Sequence, residues 1–290
     1  MRYSLLLGAA VAGLVACQST QQEAEHPANS EATNNASSPQ ALAQRFAPFM
    51  NGNWVSAEYL DALARTKSPY EASDLLMGVP ELSINLNAAV GDSVPVPASL
   101  NNHEGYPMGL FLRPAIKANA LPTNHFDPDK TGSFYEFSYR ITGPDTFLVL
   151  NHYDQRKRLL DAVRYRRVLR NNQRMREMDL IEYAVNRQLF AGRYAATDSA
   201  GRTSNVQLTT DGRITGLGPW RWYQPTTDFV VILANDVDNL QISTKPNASG
   251  STMTFRVSGD TLRLYAAKVV ETPKPELVQG KLHYTLVRQR

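Results

Sequence analysis

Five histidines carry most of the acid–base chemistry this sequence could perform: His26, His103, His125, His152 and His283. Two have a carboxylate close by in sequence, Glu104 beside His103 and Asp154 two residues after His152. Either pair could act as general acid and base if the fold aimed both groups at one proton. None of the five lies in a His-Glu-x-x-His pattern or beside a Gly-x-Ser-x-Gly elbow, and there is no glycine-rich phosphate loop. No catalytic residue is therefore assigned, and no cofactor is implied. Asp127-Pro128-Asp129-Lys130-Thr131-Gly132 has the opening spacing of a calcium loop, but its twelfth position is Ser138, where a bidentate glutamate belongs. An Asp-Pro turn leading into a strand is the simpler reading, and no metal site is expected.

Side chains that could hold a ligand without covalent chemistry are easier to find. Trp54, the alternating Tyr135, Phe137 and Tyr139, and the pair Trp220 and Trp222 are candidates to line a pocket or to fill a core. A second candidate surface is basic. Nine Lys or Arg residues and one acid, Asp161, lie between Arg156 and Arg176. Arg156, Lys157, Arg158, Arg164, Arg166 and Arg170 of that strip could meet anionic lipid or an acidic envelope protein, or form a solvated strand face. The net charge of +3 over 290 residues is too small for a nucleic-acid binder.

The elements that must position these groups are mostly strands. Tyr135, Phe137, Tyr139 and Ile141 alternate with Glu136, Ser138 and Arg140, and Met253, Phe255 and Val257 alternate with Thr252, Thr254 and Arg256. Period-two patterning of this kind, from Leu42 onward, predicts half-buried antiparallel strands. Thr142-Gly143-Pro144-Asp145 and Ser258-Gly259-Asp260 predict the turns between them. Helices are expected only over 57–64 and 69–77, the second with Pro69 at its first turn and Ser68 as cap. Three features recur in the same order: Gly52-Asn53-Trp54 with Gly192-Arg193-Tyr194, the hairpins at Tyr139 and Phe255, and closing strands at Tyr165 and Tyr284. The chain reads as two copies of one unit, 45–176 and 177–290.

The N-terminus supplies an address. Leu5 to Ala16 form an apolar run of the length of a secretory h-region, and the run ends in Leu14-Val15-Ala16-Cys17. That ending resembles the lipobox of bacterial lipoproteins, and Cys17 is the sole cysteine. The resemblance implies a signal peptide over 1–16, acylation of Cys17 (diacylglyceryl plus an amide-linked acyl chain such as palmitate), and anchoring in the bacterial outer membrane, since Gln18 follows the cysteine. Its face of that membrane stays open. Residues 17–44 read as anchor and flexible tether, for 18 to about 40 hold no large apolar side chain.

The Gly-x-Trp opening, the Asp211-Gly212 turn and the Phe255-to-Leu262 hairpin resemble the lipocalin-like (calycin) β-barrels of bacterial envelopes. The resemblance implies a mainly β fold of two tandem antiparallel barrels. The first half departs from that pattern by an insertion around 88–130, and it carries a short helical insertion after its first strand, placed like the lid of intracellular lipid-binding proteins. The resemblance further implies a latch in which Arg288 covers Tyr194, and Arg166 or Arg167 covers Trp54. The expected function is an outer-membrane lipoprotein that binds a small, largely apolar ligand. The alternative is an envelope interaction protein with filled barrels and a basic contact strip.

Overall fold

The computed structural model describes residues 37–170, 180–229, 236–246, 248–271 and 275–289. Cys17, His26, Arg174, Arg176 and the 176/177 boundary lie outside them. The chain opens with α1 (Pro39–Met50), capped by Ser38 Oγ accepting from the Ala41 amide at 3.2 Å, with Pro39 in the first turn. Its buried residues Leu42, Phe46 and Met50 fall every fourth position, a helical period. The folded body thus begins inside the expected tether, and the strand pattern expected from Leu42 begins only after Met50.

β1 (Gly52–Ser56) leads into α2 (Ala57–Thr66), and α3 (Pro69–Ala72) continues as a 3₁₀ turn over Ser73–Leu76. Ser68 Oγ caps α3 by accepting from the Glu71 amide at 3.0 Å, as its position before Pro69 predicts. Seven strands follow: β2 (Glu81–Ile84), β3 (Ser93–Leu100), β4 (Glu104–Phe111), β5 (Ala120–Pro122), β6 (Phe134–Thr142), β7 (Asp145–Tyr153) and β8 (Leu159–Leu169). Then come α4 (Leu180–Val185), a π-helical turn over Asn186–Phe190, and β9 (Gly192–Asp198), β10 (Thr203–Leu208) and β11 (Ile214–Thr215). β12 (Trp222–Pro225), β13 (Asn239–Ser243), β14 (Ser251–Ser258), β15 (Thr261–Val270) and β16 (Glu276–Arg288) complete the chain.

β1–β8 and β9–β16 form two eight-stranded antiparallel sheets, each a meander whose first strand pairs with its last. The free edges of each then meet through one isolated bridge, Leu110 to Thr123 in the first and Arg213 to Trp222 in the second. This gives both sheets barrel character. Residues 88–130 are therefore no insertion: they contain β3, β4 and β5, regular members of the first ring. The counterparts of β3 and β4 in the second ring, β11 and β12, are shorter.

The latch is present twice. Trp54 is fully buried, its Nε1 donates to the Met50 carbonyl at 2.9 Å, and the Arg167 guanidinium lies 4.6 Å over the ring. Arg167, not Arg166, reaches the indole because the β1–β8 register shifts between Asn53 and Trp54. The Tyr194 hydroxyl likewise donates to the Phe190 carbonyl at 2.5 Å, with Arg288 at 5.1 Å over its ring. Each arginine also donates to carbonyls at the end of the preceding helical segment, Arg167 to Phe49 at 2.5 Å and Arg288 to Ala191 and Leu189 at 2.5 and 3.1 Å. The preceding glycine makes room. A Cβ on Gly192 would sit 2.5 Å from Arg288 Nη1, and one on Gly52 2.9 Å from Arg167 Cδ.

Counted from the latch through the paired strands, Tyr165 matches Leu286, Leu148 matches Leu262, and Phe137 matches Phe255. The sequence match of Tyr139 with Phe255 is thus off by two residues, because the β6–β7 hairpin reaches two residues farther than its counterpart.

The helical insertion is not a lid. Tyr59 and Leu63 of α2 are fully buried in one apolar cluster with Ile181, Val185 and Leu189 of the second unit. Polar contacts reinforce the junction: the Ile181 amide donates to Glu81 Oε2 and the Tyr70 amide to Asp238 Oδ1, both at 2.9 Å. α1 instead plugs the first barrel, with Leu42, Phe46 and Met50 in the cluster around Trp54 and Phe137.

Arg288→Ala is expected to cost about 2–4 kcal/mol, from one cation–π contact and two charge-assisted hydrogen bonds. Gly192→Ala should destabilise in the same direction by displacing the guanidinium. Guanidinium-chloride unfolding of the full chain checks both.

Candidate functional site

The two ends of the first barrel differ. At the α1 end, Tyr139 stacks on Phe49 (centroids 4.2 Å apart, planes 7° apart) and meets Phe46 edge-on. Toward the other end the inward-facing residues of β8 open to solvent, from Tyr165 at 0% exposure through Val163 at 37% to Asp161, whose side chain is 57% exposed. That end is a mouth.

Strand register assembles a polar cluster there. Tyr135 of β6 lies opposite His152 of β7, which lies opposite Asp161 of β8. The Tyr135 and His152 rings stack 4.1 Å apart with 7° between planes. His125, just after β5, approaches the other side of the cluster at 4.4 Å from the Tyr135 ring, and its Nδ1 is 2.9 Å from the Tyr106 hydroxyl of β4. Asp161 Oδ2 lies 3.0 Å from His152 Nδ1. A carboxylate only accepts, so Nδ1 carries a proton, and in the neutral ring the lone pair is on Nε2. His152 is 1% exposed, and among the described residues this Nε2 has no hydrogen-bond partner. An acceptor left bare in this way costs about 1–3 kcal/mol.

Burial sets the protonation of the cluster. It lowers the pKa of His125, an effect to which nearby His152 adds and which Asp127 opposes. It pushes Tyr135 up to about 12, with the charges of Asp127 and Asp161 adding to the rise, and it also raises Tyr106. At neutral pH His125, Tyr135 and Tyr106 are therefore uncharged.

The second barrel is an internal reference. In the register counted from the latch, Tyr135 and His152 correspond to Met253 and Ala266, which are directly paired there. The duplicated fold fills this level with apolar side chains, so the polar cluster is not a requirement of the architecture.

The residues that sequence analysis singled out are dispersed. Trp54 and Phe137 are fully buried in the first core, and Tyr139 sits at the plugged end; of the six aromatic candidates only Tyr135 belongs to the mouth. Trp220 precedes β12 and packs partly buried on the second core. Trp222 faces outward beneath Arg213, 5.5 Å from its ring, whereas its neighbour Tyr223 is the inward residue, with its hydroxyl donating to the Thr209 carbonyl at 2.6 Å. The basic strip is likewise divided. Arg156, Lys157 and Arg158 form the β7–β8 turn, in which Arg158 Nε donates to Asp154 Oδ2 at 2.7 Å. Arg164 is exposed on β8, Arg166 pairs with Asp61 at 2.7 Å, and Arg170 follows the strand.

Of the two possible acid–base pairings one is formed and one changes. Asp154, held by Arg158, is not the partner of His152; Asp161 is. His103 and Glu104 are 3.7 Å apart at the β3–β4 hairpin. In the 127–132 turn, Asp127 accepts from the Asp129 amide at 2.9 Å and lies 3.8 Å from Lys130 Nζ, an Asx turn in front of β6. Among the described residues, no group of three or more metal-ligating side chains assembles.

Sequence analysis missed Tyr106 and the partnership of Asp161 with His152. The alternation Asp161–Val163–Tyr165 was the available signal, hidden by the arginines interleaved with it.

No family model matches the chain, and no curated protein matches it. Among solved structures it is similar to a protein of unknown function from the DUF3598 family of Nostoc punctiforme, at 12% identity over 86% of this chain and 99% of that one. The TM-score is 0.21, too low to bear on fold or function.

A histidine whose pKa is lowered by folding binds its proton more weakly in the native state than in the unfolded chain. Its contribution to stability is full above about pH 6.5 and is lost as pH falls through the native pKa. Stability should therefore drop on acidification from pH 7.5 to 5.5, and His125→Gln should flatten that drop, read as unfolding midpoints at the two pH values.

Proposed function

We propose that this chain is a lipid-anchored envelope protein whose two barrels are largely filled scaffolds. The mouth of the first takes a small, largely apolar ring compound bearing one hydrogen-bond donor. The carrying observation is the Tyr135–His152–Asp161 cluster, built at a level that the second barrel fills with Met253 and Ala266. Tyr135 offers a half-buried aromatic ring, Val163 an apolar edge, and His152 Nε2 the acceptor for the ligand's donor. Asp161 is a positioning residue, since it fixes the imidazole tautomer. The bulky residues at the inward positions below this level, Phe137, Tyr165 and Trp54, favour a shallow site over a deep lipid cavity. Anchoring rests on the lipobox-like Leu14-Val15-Ala16-Cys17. Among the described residues no helix is long and apolar enough to cross a membrane.

Indole and its isostere benzothiophene, which lacks the N–H, separate stacking from hydrogen bonding. The full chain should bind indole saturably, with benzothiophene about tenfold weaker. His152→Phe should remove that difference, and Tyr135→Ala should abolish binding of both. Absence of saturable binding of either compound by the unaltered chain would refute the reading. Separately, Cys17→Ser should move the protein from the membrane fraction to the soluble one; retention in the membrane would refute the anchor.

A further inference from the structure

The cleft between the two barrels carries a second constellation, at the opposite end of β8 from the mouth and independent of it. A cavity of about 310 Å³ lies there, lined from the first barrel by Asp145, Phe147, Arg166 and Arg167, from α2 by Leu60, and from the second barrel by Arg187. Arg187 and the next residue, Gln188, belong to the π-helical turn, and both donate to the first unit: Arg187 Nη1 to the Val168 carbonyl at 2.9 Å, Gln188 Nε2 to the Leu60 carbonyl at 3.1 Å. A π turn is a rare, wide coil, and here it directs two consecutive side chains to the same neighbour.

Three arginines thus line a space whose lining contains one carboxylate, Asp145. Arg166 shares its charge with Asp61, at 2.7 Å. Arg187 is tied to the Val168 carbonyl and Arg167 to the Phe49 carbonyl and the Trp54 ring, and among the described residues the buried Nε of Arg167 has no hydrogen-bond partner. Burial lowers the pKa of Arg167, and Arg170 lowers it further. Cations gathered in a partly desolvated cleft are costly unless an anion compensates them.

We propose that this inter-barrel cleft binds a phosphate-type oxyanion, held between Arg166 and Arg167 of the first barrel and Arg187 of the second. With Asp61 on Arg166 and Asp145 in the lining, three cations face two carboxylates, and the surplus positive charge favours an anion. The guanidinium fork suits tetrahedral oxyanions, since its parallel N–H groups address two oxygens at once. Leu60 and Phe147 form an apolar wall for whatever the phosphate carries. The source is either a soluble phosphate monoester or a lipid headgroup of the same chemistry.

The test uses the full chain carrying Cys17→Ser, so that anchoring does not mask vesicle binding. Calorimetric titration with inorganic phosphate at low salt should give one site per chain. Arg187→Gln should weaken it at least about tenfold. Thr146→Asp, which places a carboxylate in the cleft and leaves every arginine contact in place, should do the same, and it decides the matter if Arg187→Gln fails to fold. Arg164→Gln removes a charge from the same strand outside the cavity and should leave affinity unchanged. Phosphatidylcholine vesicles with and without phosphatidic acid separate the sources. Binding that requires phosphatidic acid and is competed by inorganic phosphate assigns a headgroup; phosphate binding without vesicle binding assigns a soluble ester. No saturable phosphate binding, or an equal loss in Arg164→Gln and Arg187→Gln, overturns the proposal.

Discussion

A guanidinium laid over the first inward aromatic of each barrel is the contact on which the architecture depends. It joins three things that the chain must bring together from distant positions: the opening strand, the closing strand, and the helical segment before the opening strand. Arg167 and Arg288 each touch all three, through a ring face on one side and carbonyl oxygens on the other. The contact requires a residue without a side chain two positions before the aromatic, since a Cβ there would meet the arginine. One glycine, one aromatic and one arginine therefore specify ring closure, twice.

Closure at that end has consequences elsewhere. Because α1 and the α4 segment are pinned against the latch, the latched end of the first barrel is plugged and its opposite end is left as the mouth. The same geometry presents the outer surface of β8 and α2 to the second unit, where Tyr59 and Leu63 complete a shared core. The units therefore do not behave as beads on a string. The junction that buries these apolar groups also gathers Arg166, Arg167 and Arg187 around one cleft.

Much of this was legible in the residues. Period-two alternation gave the strands, the recurrence of Gly-x-aromatic gave the duplication, and Ser68-Pro69 gave a helix start, because each is a local steric or hydrogen-bonding rule. One local signal was overlooked, and the other failures were non-local. The helix at Leu42–Met50 was missed although its apolar residues recur every fourth position, since the acidic, polar stretch before it set the expectation. Alternation also could not reveal that Glu136 and Asn151, on the outward faces of β6 and β7, are buried: the Ile116 amide and Lys117 Nζ bond them from a loop folded over the sheet. The site shows the same division. Tyr135 stood out as an aromatic on a strand face, yet its stacking on His152 and the Asp161 contact depend on a register that only the paired strands fix.

The central claim is that His152 holds an uncommitted acceptor in the mouth of the first barrel. Long-range ¹H–¹⁵N correlation of the histidine rings reads this directly. The account expects His152 in the Nδ1–H tautomer, with its Nε2 resonance moving on saturation with indole while its Nδ1 resonance stays near its starting value. A proton resident on Nε2 in the free protein, or a ring whose nitrogens ignore the added ligand, would contradict it.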